Sequence, residues 1–159
     1  MAAVTLPPAI PTLMVGGRVF TDLENLKVLS AYCDCSAGTR YSTLRLYTGS
    51  AGYQVPVGKT FRVLATAVIP LLGVAASRFV NPSYGDNDVG FTSAAAPTNN
   101  AFPAGSQSAS QLVPANVSGT AADPRIETPF RFDVPAGKYI AASGTLGIEF
   151  TVYVYGYEV

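Results

Sequence analysis

The sequence predicts an all-β domain, an antiparallel sandwich or barrel, preceded by an extended arm and one short helix. Three observations carry that prediction. Apolar and polar residues alternate with period two over several short runs. Gly- and Pro-bearing turns separate these runs, drawn from 15 Gly and 12 Pro in 159 residues. Only one stretch, near the N-terminus, has the capping residues and spacing of a helix. Many short strands with almost no helix is the pattern of sandwiches and barrels. A chain of this length is expected to form one domain and to bury about 70% of its unfolded surface without cross-links.

The elements follow in order. Residues 1–17 read as an arm, because Pro7, Pro8 and Pro11 fix φ and remove amide donors. Leu6, Ile10, Leu13, Met14 and Val15 make the arm sticky, unlike a solvated linker. Thr21-Asp22-Leu23-Glu24 fits a capping box, so two helical turns are expected from Thr21, with Leu23 and Leu26 on the apolar face, ending before Tyr32. The arm and helix together span 1–39, and the β domain spans 40–159. Within it, Thr43 to Tyr47 alternates with Leu44 and Leu46 on one face, and Thr60 to Pro70 is a longer β-branched run. Residues 81–123 shift to Ala, Ser, Asn, Gly and Pro and read as long loops, with weak strands near Asp88–Phe91 and Gln111–Val117. Phe130, Phe132 and Val134 alternate with Arg131 and Asp133. The last run, Leu146 to Val159, places Ile148, Phe150, Val152 and Val154 opposite Tyr153, Tyr155 and Tyr157.

One internal repeat refines the fold class. Val55-Pro56-Val57-Gly58-Lys59 is matched by Val134-Pro135-Ala136-Gly137-Lys138, each between strand-like runs. Pro at the second and Gly at the fourth position suit a type I turn. Equivalent corners at two ends of a β domain suggest a double Greek key. The prediction is therefore a jelly-roll-like antiparallel β-sandwich with an extended N-terminal arm and one short helix.

Composition narrows function. Ten Lys+Arg balance ten Asp+Glu, and charged residues make up 13% of the chain, about half the usual ~25%. A net charge of zero offers no basic footprint for phosphate backbones, so no nucleic-acid partner is expected. No apolar run is long enough to span a bilayer as a helix, and no membrane partner is expected. The N-terminus lacks a basic region followed by an apolar core, so the chain reads as made in the cytoplasm. There is no His, which removes the commonest general base and transition-metal ligand. No nucleophile therefore has a His partner, and no enzyme activity, cofactor or metal is expected.

Individual motifs give the same answer. Cys33 and Cys35 lie on one side of an extended strand and read as plain buried thiols. Gly58-Lys59-Thr60 resembles the end of a phosphate loop, but Tyr53 stands where that loop needs Gly, and strand follows instead of helix. Asp86-Asn87-Asp88 could ligate calcium, but Phe91 stands at the Gly position and no carboxylate follows, so an Asx-rich turn is the better reading. Asn116-Val117-Ser118 matches a glycosylation triplet with nothing else to indicate secretion. Tyr153, Tyr155 and Tyr157 form a row that could stack on sugar rings or pack against a sheet or subunit, and packing is preferred.

From Tyr53 to Val159 the chain resembles small jelly-roll proteins of tailed-phage virions. The likeness rests on Tyr53-Gln54-Val55-Pro56-Val57-Gly58-Lys59-Thr60-Phe61, on Phe132-Asp133-Val134-Pro135-Ala136-Gly137-Lys138-Tyr139 and on the ending Val152-Tyr153-Val154-Tyr155-Gly156-Tyr157-Glu158-Val159. It covers about two-thirds of the chain. Within that group it is most similar to capsid decoration, or cement, proteins. The resemblance implies a homotrimer on the capsid exterior of a bacteriophage virion, with the major capsid protein as partner. It implies capsid contact through Leu6, Pro7, Pro8, Ile10, Pro11, Leu13, Met14 and Val15, and subunit contact or ligand binding through Tyr153, Tyr155 and Tyr157. The alternative it leaves open is a carbohydrate- or receptor-binding tip module of a tail fibre.

Overall fold

The computed structural model describes residues 11–71, 76–101, 111–114 and 126–159. They form β1 (Leu13–Val15), β2 (Arg18–Phe20), β3 (Lys27–Asp34), β4 (Arg40–Thr43), β5 (Arg45–Leu46), β6 (Phe61–Pro70), β7 (Arg78–Gly85), β8 (Gln111–Val113), β9 (Ile126–Val134), β10 (Tyr139–Gly144) and β11 (Glu149–Glu158). Among the described residues there is no helix. All pairings are antiparallel. One sheet has the order β5-β3-β11-β6-β9, a second has β4-β10-β7-β8, and β1-β2 is a separate hairpin. Leaving out the hairpin and the two-residue β5, eight strands remain. The larger sheet then holds the first, eighth, third and sixth of them, and the smaller holds the second, seventh, fourth and fifth.

The two sheets share one apolar core. Leu29, Ala31 and Cys33 of β3, Val63 and Val68 of β6 and Phe150, Val152 and Val154 of β11 meet Val80 of β7, Val113 of β8 and Ile140 and Ala142 of β10. Phe150 is fully buried and lies under Gly144, where an added Cβ would sit 2.6 Å from its ring. Gly156 likewise leaves space for the Phe61 ring. Alternation is unbroken along β11, but β6 carries a bulge. Tyr155 pairs with Ala65 and Gly156 with Val63, which leaves Leu64 as the extra residue. Before the bulge Phe61 and Val63 face the core; after it Val68 does, and Ala65 and Ala67 turn to the outer face.

Several expectations change. The helix from Thr21 is absent: Asp22 accepts from the backbone and side-chain amides of Asn25 in a turn, and β3 begins at Lys27. A short capped segment has weak helical stability of its own. The place between β5 and β11, with Leu29, Ala31 and Cys33 facing the core, decides the conformation instead. The sheet therefore begins at residue 27, ahead of the expected boundary at 40. The run from Thr43 to Tyr47 is two strands in different sheets, and the chain crosses between them at buried Leu44. Residues 88–91 form no strand, although Thr43 N bonds to Gly90 O along the edge of β4. Gln111–Val113 is a strand, and residues 115–117 lie outside the described residues.

The two repeated corners meet in space. Val55 N donates to Lys138 O (2.9 Å) and Gly137 N to Val55 O (2.8 Å). Each turn is offset by one residue from the expected type I. Lys59 N bonds to Pro56 O and Lys138 N to Pro135 O, with Gly58 and Gly137 at φ +75° and +76° in the third position. That is the glycine placement of a type II turn. β7 is a strand that composition did not reveal, with Pro82 in its middle. Tyr84 exchanges both backbone bonds with Ala101, so Pro82, two residues earlier, also points its nitrogen away from β10 and costs no bond there.

Truncating Phe150 to Ala empties a fully buried part of this core. It is expected to cost about 3–5 kcal/mol in denaturant unfolding. A cost below about 1 kcal/mol would show that the sheets repack freely around Gly144.

Candidate functional site

The tyrosine row lies on the outer face of the five-stranded sheet, beneath the β1–β2 hairpin. Two consecutive glycines create that hairpin. Gly16 and Gly17, at φ +56° and +76°, form a two-residue loop whose twist matches the strands. In the register Leu13↔Phe20 and Val15↔Arg18 these residues share one face, while Met14 and Val19 share the other. Val15 and Phe20 dock with Ala65, Ala67 and Tyr155 in a small core distinct from the main one. Phe20 is 2% exposed and Tyr155 6%. The Phe20 ring lies 6.2 Å, centroid to centroid, from both Tyr155 and Tyr157, tilted at 38° and 44°. Ala65 and Ala67 provide the depth this seat needs, because larger side chains would fill it.

The seat is tied at two points. Gly16 N donates to Glu127 Oε2 (2.7 Å), and Tyr157 Oη donates to Asp22 O (3.1 Å). Burial, with the Asp22 carboxylate nearby, raises the pKa of the Tyr157 phenol. The Gly16 position admits no side chain: a Cβ would fall 2.8 Å from Pro129 N on β9. Among the described residues no backbone ladder joins the hairpin to either sheet. A cavity of about 550 Å³ opens beside the hairpin, between Arg18, Phe20, Leu64 and Tyr157.

This arrangement separates the residues that the sequence grouped together. Leu13 and Val15 face the domain's own sheet, whereas Met14 is 67% exposed and its cross-strand neighbour Val19 is 57% exposed. Pro11 is exposed. Leu6, Pro7, Pro8 and Ile10 lie outside the described residues. Tyr153 and Tyr157 are partly buried and Tyr155 is buried, all under the hairpin. Val19 and Phe20 belong to this surface but were not among the expected residues. The signal that could have found them is Gly16-Gly17 between two short apolar runs, a hairpin signature.

The other candidates have structural surroundings. Asp88 accepts from Gly52 N (2.9 Å) and Gly90 N (2.7 Å), while Asp86 is bound by Lys138 and Asn99, and Asn87 accepts from Thr98 N. The hydrogen bonds from Lys138 and Asn99 hold the Asp86 carboxyl below its ordinary pKa. At Asp88 burial raises the pKa, but the bonds from Gly90, Thr43 and Gly52 outweigh it and the net shift is downward. Cys33 Sγ and Cys35 Sγ are 3.6 Å apart, buried in the main core and free. Among the described residues no three His, Cys, Asp or Glu side chains converge on a metal position. Comparison with protein-family models, curated proteins and solved structures finds no match.

Two outcomes follow. Phe20→Ala should release the hairpin, with loss of amide-exchange protection at residues 13–20 while Phe150 and Val152 amides stay protected; uniform loss across both regions would show that the hairpin is integral to the main core. The folded-state pKa values of Asp86 and Asp88 lie below the unfolded value of about 3.9. Their contribution is therefore complete above that pH and disappears as pH falls through the folded values. Asp86→Asn combined with Asp88→Asn should lower Tm at neutral pH and flatten its acid dependence, and an unchanged acid profile would refute this assignment.

Proposed function

We propose that this chain is a structural virion protein, a decoration protein that binds the expanded head of a tailed phage as a trimer and stabilises contacts between capsomers. The observation that carries the reading is the outward face of the hairpin. Met14 and Val19 stand side by side in solvent on an element whose other face packs against its own sheet. The N-terminal arm joins the domain at this point. The hairpin offers Met14 and Val19 to the capsid surface, and the sequence ahead of it adds the apolar residues Leu6 and Ile10.

The strand order supports the same reading. First-eighth-third-sixth facing second-seventh-fourth-fifth is the order we assign to a jelly roll, two Greek keys wrapped into a sandwich. Each apolar contact on the capsid contributes about 25 cal/mol per Å² removed from water. Three arms from one trimer would bind with avidity, so no single arm needs high affinity. Such contacts oppose the outward pressure of packaged DNA by linking neighbouring capsomers. For the tyrosine row, the cover of the hairpin over Tyr155 supports packing over sugar stacking.

Head binding tests the proposal. Full-length protein should co-sediment with undecorated expanded heads and raise their resistance to heat. Met14→Ser with Val19→Ser should weaken binding by at least about tenfold, that is by about 1.4 kcal/mol or more. Deletion of residues 1–10, which leaves the hairpin in place, should weaken it further. Full-length protein that ignores heads of its own phage sinks the decoration reading. Binding unchanged in both variants sinks the role given to the arm and hairpin.

A further inference from the structure

We propose that the pocket at the β5 edge of the five-stranded sheet is a binding site for a neutral saccharide. The pocket has a volume of about 520 Å³, within the range of small-molecule sites. Glu24 enters it from the segment leading into β3, Lys27 from the start of β3, and Tyr47 from the segment after β5. Lys59 and Glu158 close the remaining side. Two carboxylates and two ammonium groups leave the lining with no formal net charge, so it favours neither an anion nor a cation. Charged groups this numerous also make it a poor site for an apolar ligand.

A sugar matches both halves of the lining. Its hydroxyls donate to carboxylates and accept from ammonium groups, and its C–H face packs on an aromatic ring. The Tyr47 ring, 77% exposed at the rim, offers that platform. Glu158 is fixed before any ligand arrives. Tyr53 Oη donates to its Oε1 at 2.6 Å, and Lys27 Nζ lies 3.4 Å from the same oxygen. A ligand hydroxyl can then donate to Oε2. The hydrogen bond from Tyr53 keeps the Glu158 carboxyl below its ordinary pKa, against partial burial and with help from Lys27, so the acceptor remains ionised at neutral and mildly acid pH. A site whose polar groups are already held in place binds with less ordering cost.

The inference does not depend on the decoration reading. The hairpin face and this pocket have different linings, so failure of head binding and failure of sugar binding are separate results. The test titrates neutral hexoses, N-acetylhexosamines and their disaccharides into isotope-labelled full-length protein and follows amide shifts by NMR. At least one sugar is expected to give saturable shifts confined to residues 24–28, 46–48, 59 and 158. Tyr47→Ala, at an exposed position, is expected to weaken that binding by about tenfold or more with Tm unchanged. Lys59→Ala, also at an exposed position, serves as a second variant with the same expectation. Absence of saturable shifts with every sugar through the millimolar range overturns the proposal. So does sugar binding that both variants leave intact. Saturable shifts from inorganic sulfate or a lysine-rich peptide at these residues, with none from sugars, overturn the ligand class.

Discussion

The rest of the fold depends on the burial of β11 on both faces. It lies between β3 and β6, and its backbone is paired along both edges. Phe150, Val152 and Val154 fill the main core, while Tyr153, Tyr155 and Tyr157 support the hairpin on the opposite side. A one-residue slip would exchange these two sets and place tyrosines between the sheets. Neighbouring elements are shaped to that register. Gly144 and Gly156 leave space for the Phe150 and Phe61 rings, and the bulge at Leu64 turns Ala65 and Ala67 outward beneath the hairpin.

Two-sided burial also changes the meaning of the low charge content. A chain with 13% charged residues suggests a surface covered by partners. Part of that cover is internal. The hairpin protects the outer face of the larger sheet. On the smaller sheet, Thr43, Ala141 and Ser83 are in register across three strands on the face opposite Ile140 and Ala142, and all are buried. Segment 86–101 lies along this sheet, with Val89 N on Thr43 Oγ1 (2.9 Å) and Ser93 paired to Tyr41. Composition therefore reports how many sheet faces are hidden, without distinguishing cover by the chain itself from cover by another molecule. Exposed apolar side chains nevertheless remain on several faces, Val57 and Tyr47 the most exposed of them, and Met14 and Val19 are the pair that the hairpin register sets side by side.

Elements whose pattern agrees with their tertiary place were legible in the sequence. β6 is a long β-branched run, β11 and the end of β9 alternate, and the two Pro-X-Gly-Lys corners stood out by self-similarity. β3 was hidden because Thr21 to Glu24 mimics a helix start, and only the gap between β5 and β11 decides against it. β7 was hidden because its outer face needs small polar residues under a covering segment, and Asn81-Pro82-Ser83 reads locally as a loop. The site was legible in part. The tyrosine row was found with packing as its preferred role, but its partner was sought in another sheet or subunit, when the arm itself folds back to supply it. The pocket at β5 had no sequence signal, because its charges come from segments as distant as Glu24 and Glu158.

The way the hairpin is held bears on what it can do. Side-chain packing and hydrogen bonds such as Gly16 N to Glu127 dock it, and among the described residues no ladder joins it to the sheet below. Burying residues such as Val15 and Phe20 stabilises the docked state by about 1.5–3 kcal/mol each, and ordering the short segment offsets much of that. An element with so small a margin lies at the low end of the stability range within a fold. The main core is a separate cluster, formed by other residues than those that seat the hairpin. On the decoration reading this division is useful, because quasi-equivalent positions on a head present slightly different spacings to the same trimer. A rigid sandwich carrying a loosely held apolar strip can absorb those differences at the strip and keep its sheets unchanged. A strip built into the sheet by hydrogen bonds would have to break its ladder to do the same.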